Sequence, residues 1–195
     1  TGFITMKTKL TLFVAVLAVA LLGVGCAAPK EHVPQSEAKE LIEFVKTKAN
    51  AEAGDVGAQA ALAYKYAKGL GVKENDKKAV EWYHKSVAQD NPPAEAQANL
   101  GAHYREGAGV ERNMKEAIKW FNKAAERGEP SAQGALGLIY DRGEAMLEDD
   151  VTAYAWYNIS AANGSEWSRE RKSLIVKDMT PDQIAKAQEL SKEMI

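Results

Sequence analysis

Apolar residues between positions 96 and 131 recur with the spacing of two successive helix faces. The first set lies at i, i+4 and i+8 and comprises Ala96, Leu100 and Tyr104. The second set lies at i, i+3, i+4 and i+7 and comprises Ala117, Trp120, Phe121 and Ala124. Because each set follows the 3.6-residue period of a helix, the pattern predicts two amphipathic helices in this stretch.

The residues around the two sets carry turn and cap signals. Gly107 follows the first set directly and suits the left-handed residue that ends a helix. Asn113 is a good N-cap for the second helix, with Glu116 as its capping-box partner, and Gly128 follows that helix. Gly101 lies inside the first helix, where glycine costs about 1 kcal/mol relative to alanine. The stretch therefore predicts a helical hairpin whose two helices approach closely at Gly101.

The same pattern occurs three times along the chain. The copies begin at Ala58, Ala96 and Ala132, which are 38 and 36 residues apart. A tyrosine, a glycine, an alanine and a tryptophan keep this spacing, namely Tyr66, Tyr104 and Tyr140; Gly69, Gly107 and Gly143; Ala79, Ala117 and Ala153; and Trp82, Trp120 and Trp156. A period in this range predicts a solenoid of stacked repeats. In such a solenoid we expect the three tryptophans to be core residues.

The three copies resemble the Sel-one-like repeat family, a subclass of the tetratricopeptide-like repeats. The family pattern is approximately AxxxLGxxYxxGxGVxxDxxxAxxWFxKAAxxG. The middle copy matches it almost throughout and has Met114 in place of the aspartate. The first copy has Ala63 in place of the glycine, and its connection to the next copy is two residues longer, around Pro92 and Pro93. The third copy replaces the GxGV turn with residues 143–146. The resemblance implies a fold but says little about function, because this fold serves many partners.

The predicted fold class is all-α, a right-handed α-solenoid of stacked helix-turn-helix repeats that forms a tetratricopeptide-like superhelix. We expect three repeats within residues 55–165, at about 58–95, 96–131 and 132–165. Glycine, proline and polar residues separate the helical patterns, and no strand pattern is visible anywhere in the sequence.

Helices without the repeat pattern are expected to cover the two ends of the solenoid, as terminal units must. The N-terminal capping helix is predicted at 36–54, with Ser36 as its N-cap. The C-terminal capping helices are predicted at 166–195. In the last of them, Thr180 and Gln183 form the capping box, with a proline between them as the first helical residue.

Residues 1–26 differ from the rest of the chain. Lys7 and Lys9 precede an almost uncharged apolar run that ends near Cys26. A basic segment followed by an apolar run of this length is typical of a signal peptide and is short for a membrane span. Residues 27–35 then follow as a short tether.

The end of the apolar run resembles a bacterial lipobox, in which the cysteine is lipidated and becomes the mature N-terminus. Gly25 and Cys26 fit that pattern, whereas Gly23 stands where an aliphatic residue is usual. We therefore expect Cys26 to be lipidated and the protein to be anchored in the outer membrane, facing the periplasm. The alternative is ordinary cleavage after Ala27 or Ala28, which would give a soluble periplasmic or secreted protein.

Composition and charge are ordinary for a soluble domain of 195 residues, with 46% hydrophobic residues and 27% charged residues. The formal net charge of −2 gives no indication of a nucleic-acid partner. The basic cluster of Arg169, Arg171 and Lys172 is interpreted as a solvated helix face.

The sequence shows no catalytic, cofactor or metal site. The three histidines, His32, His84 and His103, lack metal-ligand spacing, and the single cysteine lies at the processing site. The acidic run at 148–150 lacks the ligands of a calcium loop and is explained by carboxylates at a helix N-terminus. We therefore expect no enzymatic activity, no cofactor and no small-molecule substrate.

A protein-binding surface remains, because the first helices of stacked hairpins line an extended concave face. The candidate positions vary between copies and lie off the apolar stripe. They form three sets, which are Tyr64, Ala102 and Leu138; Ala67, Arg105 and Asp141; and Lys68, Glu106 and Arg142. Simple solvent exposure is the alternative for each of them.

Within these sets, Tyr64 is the expected anchor for a partner, because aromatic side chains dominate interface energetics. Lys68, Arg105 and Arg142 are expected to orient a partner with acidic patches. Glu106 and Asp141 are expected to discriminate against wrong partners.

The sequence thus favours a non-catalytic scaffold or adaptor for protein–protein interaction at the bacterial envelope. A narrower version of this function is an immunity protein or an inhibitor of a toxin or envelope enzyme. The competing class is a β-lactam- or peptidoglycan-related hydrolase. Exported relatives of that class have paired cysteines, which this chain lacks, and no SxxK constellation with its partners is visible.

Lipidation of Cys26 can be tested by metabolic labelling with a fatty-acid analogue. The wild-type chain should carry the label and Cys26→Ser should not, because the cysteine sulfur is the attachment point. An unlabelled wild-type chain that is cut after Ala27 or Ala28 would contradict the lipoprotein prediction.

Overall fold

The computed structural model describes residues 35–144 and 149–194, which form helices and short turns without a strand. The helices are α1 (Gln35–Glu52), α2 (Val56–Lys68), α3 (Asp76–Val87), α4 (Ala94–Glu106), α5 (Met114–Ala125), α6 (Pro130–Asp141), α7 (Asp150–Ala162), α8 (Glu166–Ile175) and α9 (Pro181–Glu193). The pairs α2/α3, α4/α5 and α6/α7 are the three hairpins that the repeat pattern predicts. The predicted signal peptide, Cys26 and residues 27–34 of the tether lie outside the described residues.

Each hairpin turn closes through the N-cap residue of its second helix. The Asn113 side chain accepts a hydrogen bond from the Glu116 N–H at 3.1 Å, and its own N–H donates to the Tyr104 carbonyl at 2.9 Å. Asn75 and Asp149 make the equivalent bonds in the other two repeats. The two bonds satisfy groups that helix ends leave unpaired. The same two bonds therefore anchor the end of the turn in all three repeats, while residues 145–148 of the third turn lie outside the described residues.

Most of the helix ends predicted from the sequence are confirmed. Gly107 ends α4 in the left-handed conformation with φ 74°, and Thr180 and Gln183 form the complete capping box of α9. The prediction that Ser36 is an N-cap is wrong, because α1 begins at Gln35 and already includes it. Glu116 forms an ion pair with a lysine one turn later rather than a reciprocal capping-box bond.

A buried aromatic ring on the second helix packs against the first helix within each repeat. Tyr83, Phe121 and Tyr157 are almost fully buried. A Cβ atom added at Gly101 would lie 2.9 Å from the Phe121 ring, and one added at Gly137 would lie 2.7 Å from the Tyr157 ring. Both distances are shorter than normal carbon contacts. The glycines therefore serve a packing role, as predicted, by bringing the two helices together.

The prediction that the three tryptophans are core residues is wrong. Trp82, Trp120 and Trp156 are half-buried, while the aromatic residue that follows each of them fills the core. Trp120 packs against the apolar cluster of the first repeat, and Trp156 packs against that of the second. The two tryptophans therefore belong to the joints between repeats. A helical wheel places neighbouring positions 100° apart, so sequence spacing alone does not decide which aromatic residue points inward.

The second glycine of the GxG turn provides another contact at each of the first two joints. Gly109 has φ 71°, and a Cβ atom there would overlap the backbone of Asp76 at the start of α3. Gly71 lies in the same way against the Glu40 carbonyl of α1. Glycine is required at these positions both for the positive φ and for the close approach of two backbones.

Buried glutamines near the start of the first helices connect neighbouring repeats. Gln133 donates from its side chain to the Ala125 carbonyl of the preceding repeat at 3.1 Å and accepts from Asn163 at 2.9 Å. Gln59 makes the equivalent pair of bonds with Ala51 and Gln89. Each glutamine thereby satisfies a carbonyl at a helix end and links it to its own repeat.

The middle repeat departs from this arrangement. Arg127 stands where Gln89 and Asn163 stand in the other repeats, but its guanidinium donates to the Pro92 carbonyl and, at 2.7 Å, to Asn91. The Gln97 Oε1 atom remains buried without a hydrogen-bond partner. The two-residue-longer connection before α4 therefore changes the bonding of this joint.

A histidine fills the joint between the first two repeats. The His84 Nε2 atom lies 3.0 Å from the Tyr104 hydroxyl, and its ring is edge-on to Trp120 at 6.4 Å between centroids. Burial lowers the pKa of His84, and the carboxylate of Glu116 offsets only part of that effect. In the tautomer whose Nε2 carries no hydrogen, the neutral ring accepts a hydrogen bond from the Tyr104 hydroxyl.

The different burial of Trp120 and Phe121 predicts different losses of stability. Phe121→Ala should lower the free energy of unfolding by about 3–5 kcal/mol, the usual loss for a buried aromatic side chain. Trp120→Ala should cost about 2 kcal/mol, because only part of its apolar surface is removed from water. Trp120→Phe should be nearly neutral, since it removes an indole N–H that lacks an acceptor. Urea denaturation followed by circular dichroism measures these losses. If the two alanine variants lost the same free energy of unfolding, Trp120 would contribute to stability as a core residue does.

A matched pair of variants distinguishes the effect of the close backbone contact at Gly109 from the effect of a positive φ alone. Gly109→Ala and Gly128→Ala both place alanine at a positive φ, 71° and 80° respectively, which costs about 1–2 kcal/mol. No atom lies within 4 Å of the Cβ position at Gly128. Gly109→Ala should therefore lose about 1–3 kcal/mol more, because the Asp76 backbone must move. Equal midpoints for the two variants in urea would show that the close approach contributes nothing.

Candidate protein-binding groove

Two neighbouring recesses lie along the first helices of the repeats. The acidic recess has a volume of about 340 Å³ and is lined, among others, by Tyr64, Lys68, Glu74, Asp76, Asn99 and Glu106. The apolar recess has a volume of about 260 Å³ and is lined, among others, by Ala102, Arg105, Ala135, Leu138 and Trp167. Asn99 and Ala102 line both recesses, so the two are adjacent on α4, and we refer to them together as the groove.

The first helices position most of the groove, and the repeat pattern explains why. Seven of the nine candidate positions line one recess or the other, namely Tyr64, Ala67, Lys68, Ala102, Arg105, Glu106 and Leu138. Tyr64 is 41% exposed and Leu138 is buried. The structure therefore brings these residues together on one face, and their role in binding stays a prediction.

The two remaining candidates, Asp141 and Arg142, line neither recess. Asp141 accepts a hydrogen bond from the Tyr157 hydroxyl at 2.9 Å and forms an ion pair with Arg171. Burial, and then the bond to Asp141, raise the pKa of Tyr157, which therefore remains a donor. Arg142 is exposed and lies 3.8 Å from Glu144. The carboxylate of Asp141 is thus occupied by contacts within the chain.

The interpretation of the basic cluster on α8 as a solvated face is wrong for two of its three members. Arg171 pairs with Asp141 at the end of α6, and Lys172 donates to the Asn158 side chain of α7 at 3.0 Å. Only Arg169 stays on the helix surface, where it pairs with Glu166. Arg171 and Lys172 therefore hold the C-terminal cap against the third repeat.

The ion pairs of the groove were not foreseen from the sequence. Arg105 pairs with its neighbour Glu106 at 3.2 Å, and its carbonyl accepts a hydrogen bond from Arg112 at 3.0 Å. The ion pair with Glu106 offsets the charge of the Arg105 guanidinium, and the Arg112 bond involves only the Arg105 backbone. The expectation that Arg105 and Arg142 orient an acidic partner remains a prediction, which their ion pairs do not favour.

The pattern of varying positions on the first helices missed several residues of the groove, and four of them are polar or exposed aromatic side chains. Glu74 and Asp76 come from the turn and the start of α3, Asn99 lies on α4, and Trp167 comes from the capping helix α8. Trp167 is 46% exposed and packs edge-on against the buried Tyr157 ring at 5.7 Å. Asn99 occupies the position of Ala61 and Ala135 in the other repeats. This replacement of alanine by a polar residue is the one feature of the sequence that could have indicated a role for Asn99 in the groove.

The described residues contain no group of histidine, cysteine or carboxylate side chains arranged to hold a metal ion. Between residues 35 and 194, where the chain is described, no helix is both long and apolar enough to cross a membrane.

The family model described as "Sel1 repeat" matches residues 56–91, 94–129 and 130–165. A search of curated proteins gives no significant match.

Two solved structures share substantial identity with the chain. The first is c5321, described as a protective antigen of uropathogenic Escherichia coli strains that displays an SLR fold, with 31% identity and a TM-score of 0.70 over 96% of this chain. This chain spans 38% of the length of that protein. The second is a Sel1 repeat protein from Oxalobacter formigenes, with 35% identity and a TM-score of 0.56 over 67% of this chain and 97% of its own.

A third structure, the immunity protein Pa5087 from Pseudomonas aeruginosa, is 16% identical with a TM-score of 0.41 over 99% of this chain and 81% of its own, a similarity that supports no functional argument. The fold of the first two structures confirms the predicted α-solenoid. Because three repeats of the family model cover more than half of the sequence, the chain belongs to the Sel1 repeat family, whose members are protein-interaction scaffolds.

Proposed function

We propose that this chain is a non-catalytic scaffold or adaptor that binds a protein partner through its concave face at the bacterial envelope. The observation that carries the proposal is the groove of two adjacent recesses along α2, α4 and α6, with exposed aromatic side chains at Tyr64 and Trp167. Exposed aromatic residues are enriched where proteins bind one another, because they bury a large apolar area.

The proposed envelope location is supported by the sequence of the first 26 residues. Their basic and apolar segments end near Cys26, where a lipid anchor would hold the repeats close to a membrane surface. In this proposal the protein is an outer-membrane lipoprotein that faces the periplasm. The membrane contact then comes from the lipid, and the groove remains open to a partner.

The concave face can be tested in cells by site-specific photo-crosslinking. A photoreactive phenylalanine analogue in place of Tyr64 should form a covalent adduct with the partner, since this side chain is exposed within the groove. The same analogue in place of Lys115, which is exposed on α5 and lines neither recess, is the control. Adducts are detected as a shift in mass on a denaturing gel and identified by mass spectrometry. An adduct from Lys115 without one from Tyr64 would move the binding site away from the groove.

A further inference from the structure

We propose that the groove binds a protein segment that carries a lysine or arginine side chain next to a large apolar side chain. The cationic side chain occupies the acidic recess, and the apolar side chain occupies the apolar recess. This inference rests on the proposed function, because it assumes a protein partner on the concave face, and it reverses the charge expected for that partner from the sequence.

The charge of the acidic recess favours a cation. Glu74, Asp76 and Glu106 line it together with Lys68 and the buried His103, whose Nδ1 atom lies 2.9 Å from the Ala108 carbonyl. Arg105, from the apolar recess, offsets Glu106. Three carboxylates therefore face two cations, and no described basic side chain lies within 4.0 Å of Glu74 or Asp76. A partner's cation placed there gains favourable electrostatic interaction without having to displace a residue of this chain.

The aromatic side chain of the acidic recess suits the same ligand. Tyr64 is 41% exposed and lines the acidic recess. A lysine or arginine is attracted to the face of a tyrosine ring by the ring quadrupole. Tyr64 and the carboxylates together form the surroundings in which cationic side chains bind most favourably.

The apolar recess fits a large apolar side chain. Ala102, Ala135 and Leu138 line the recess, and the short side chains of the two alanines leave room for a ligand. Trp167 forms a wall whose surface is 46% exposed. A partner side chain in this position removes apolar surface from water on both molecules, which is the main source of affinity in such contacts. The one cation of the recess, Arg105, is already paired, so an acidic segment finds no free partner there.

The two recesses are near enough to bind neighbouring side chains of a single segment. Asn99 and Ala102 line both recesses and lie three residues apart on α4, a spacing of about 5–6 Å between Cβ atoms on a helix. The Asn99 amide donates one hydrogen bond to the buried Tyr83 hydroxyl, which leaves a second N–H donor and the carbonyl acceptor for a ligand. It therefore lies where it can bind the backbone of a segment that crosses from one recess to the other.

Selection from a random peptide library tests this chemistry directly. The purified full chain is immobilised, and peptides from a phage-displayed library of random 12-residue segments are selected at low salt. The selected sequences should be enriched in lysine or arginine within about four residues of a large apolar residue, the reach of neighbouring side chains on one segment. Fluorescence anisotropy of the selected peptides then gives their dissociation constants. Enrichment of acidic residues, or of no charge, would overturn the proposal.

Two pairs of variants locate the binding. Glu74→Lys should weaken binding of the selected peptides by about tenfold, because it replaces attraction with repulsion in the acidic recess. Its control is Glu81→Lys, at an exposed position of α3 outside the groove, which should change the affinity by less than about twofold. Trp167→Ala should also weaken binding about tenfold, and Leu174→Ala is its control, because Leu174 is 47% exposed on the same helix and lines neither recess. Equal effects within either pair would show that the peptides bind elsewhere.

Stability is measured for every variant by thermal denaturation, so that a loss of folding is not taken for a loss of binding. If the Trp167→Ala variant does not fold, Ala135→Glu is the second test of the apolar recess, because it places a carboxylate among the residues that line it. The two experiments also distinguish failure of this inference from failure of the proposed function. A crosslinked partner at Tyr64 together with peptides that lack cationic residues would retain the scaffold and reject this inference, whereas failure of both experiments would reject both.

Discussion

The aromatic ring of each second helix lies against a residue of the first helix that has little or no side chain, and the rest of the solenoid depends on that contact. Phe121 on Gly101 and Tyr157 on Gly137 set the distance between the two helices of a repeat. Because the ring occupies the interior, the preceding tryptophan is turned toward the neighbouring repeat. Packing within a repeat thus determines which residues are left to join one repeat to the next.

The joints between repeats combine close backbone packing with hydrogen bonds to helix ends. Glycines of the turns allow two backbones to meet at Gly71 and Gly109, and Gln59 and Gln133 bridge to the carbonyls of the preceding helix. Since the first helices are held by these joints, their outward positions line up as a groove. The C-terminal cap extends the same surface, because Arg171 and Lys172 hold α8 where Trp167 reaches the apolar recess.

Local features of this fold could be predicted from the sequence, whereas contacts between repeats could not. Gly107, Asn113 and Thr180 act through bonds to residues a few positions away, so their roles follow from short patterns. The pairing of Asp141 with Arg171 spans 30 residues and depends on how the cap packs.

The candidate groove likewise contains residues that the repeat pattern predicts and residues that it does not. Its first-helix positions followed from variation between copies. Glu74 and Trp167 could not be placed there, because they enter the groove from a turn and from a capping helix whose positions the repeat pattern does not specify. The burial of Phe121 rather than Trp120 likewise depends on a small rotation of the helix that only tertiary packing decides.

The bonding of Arg127 limits how this array can grow by duplication. Its acceptors, Asn91 and the Pro92 carbonyl, belong to a connection that precedes the second repeat and has two additional residues. If the second repeat were duplicated, the new copy behind the original would follow a shorter connection. The arginine of that copy would then lack those acceptors. The third repeat carries both members of its bridge, Gln133 and Asn163, within itself. With respect to this bond, a longer array is therefore more readily built by copying the third repeat than the second.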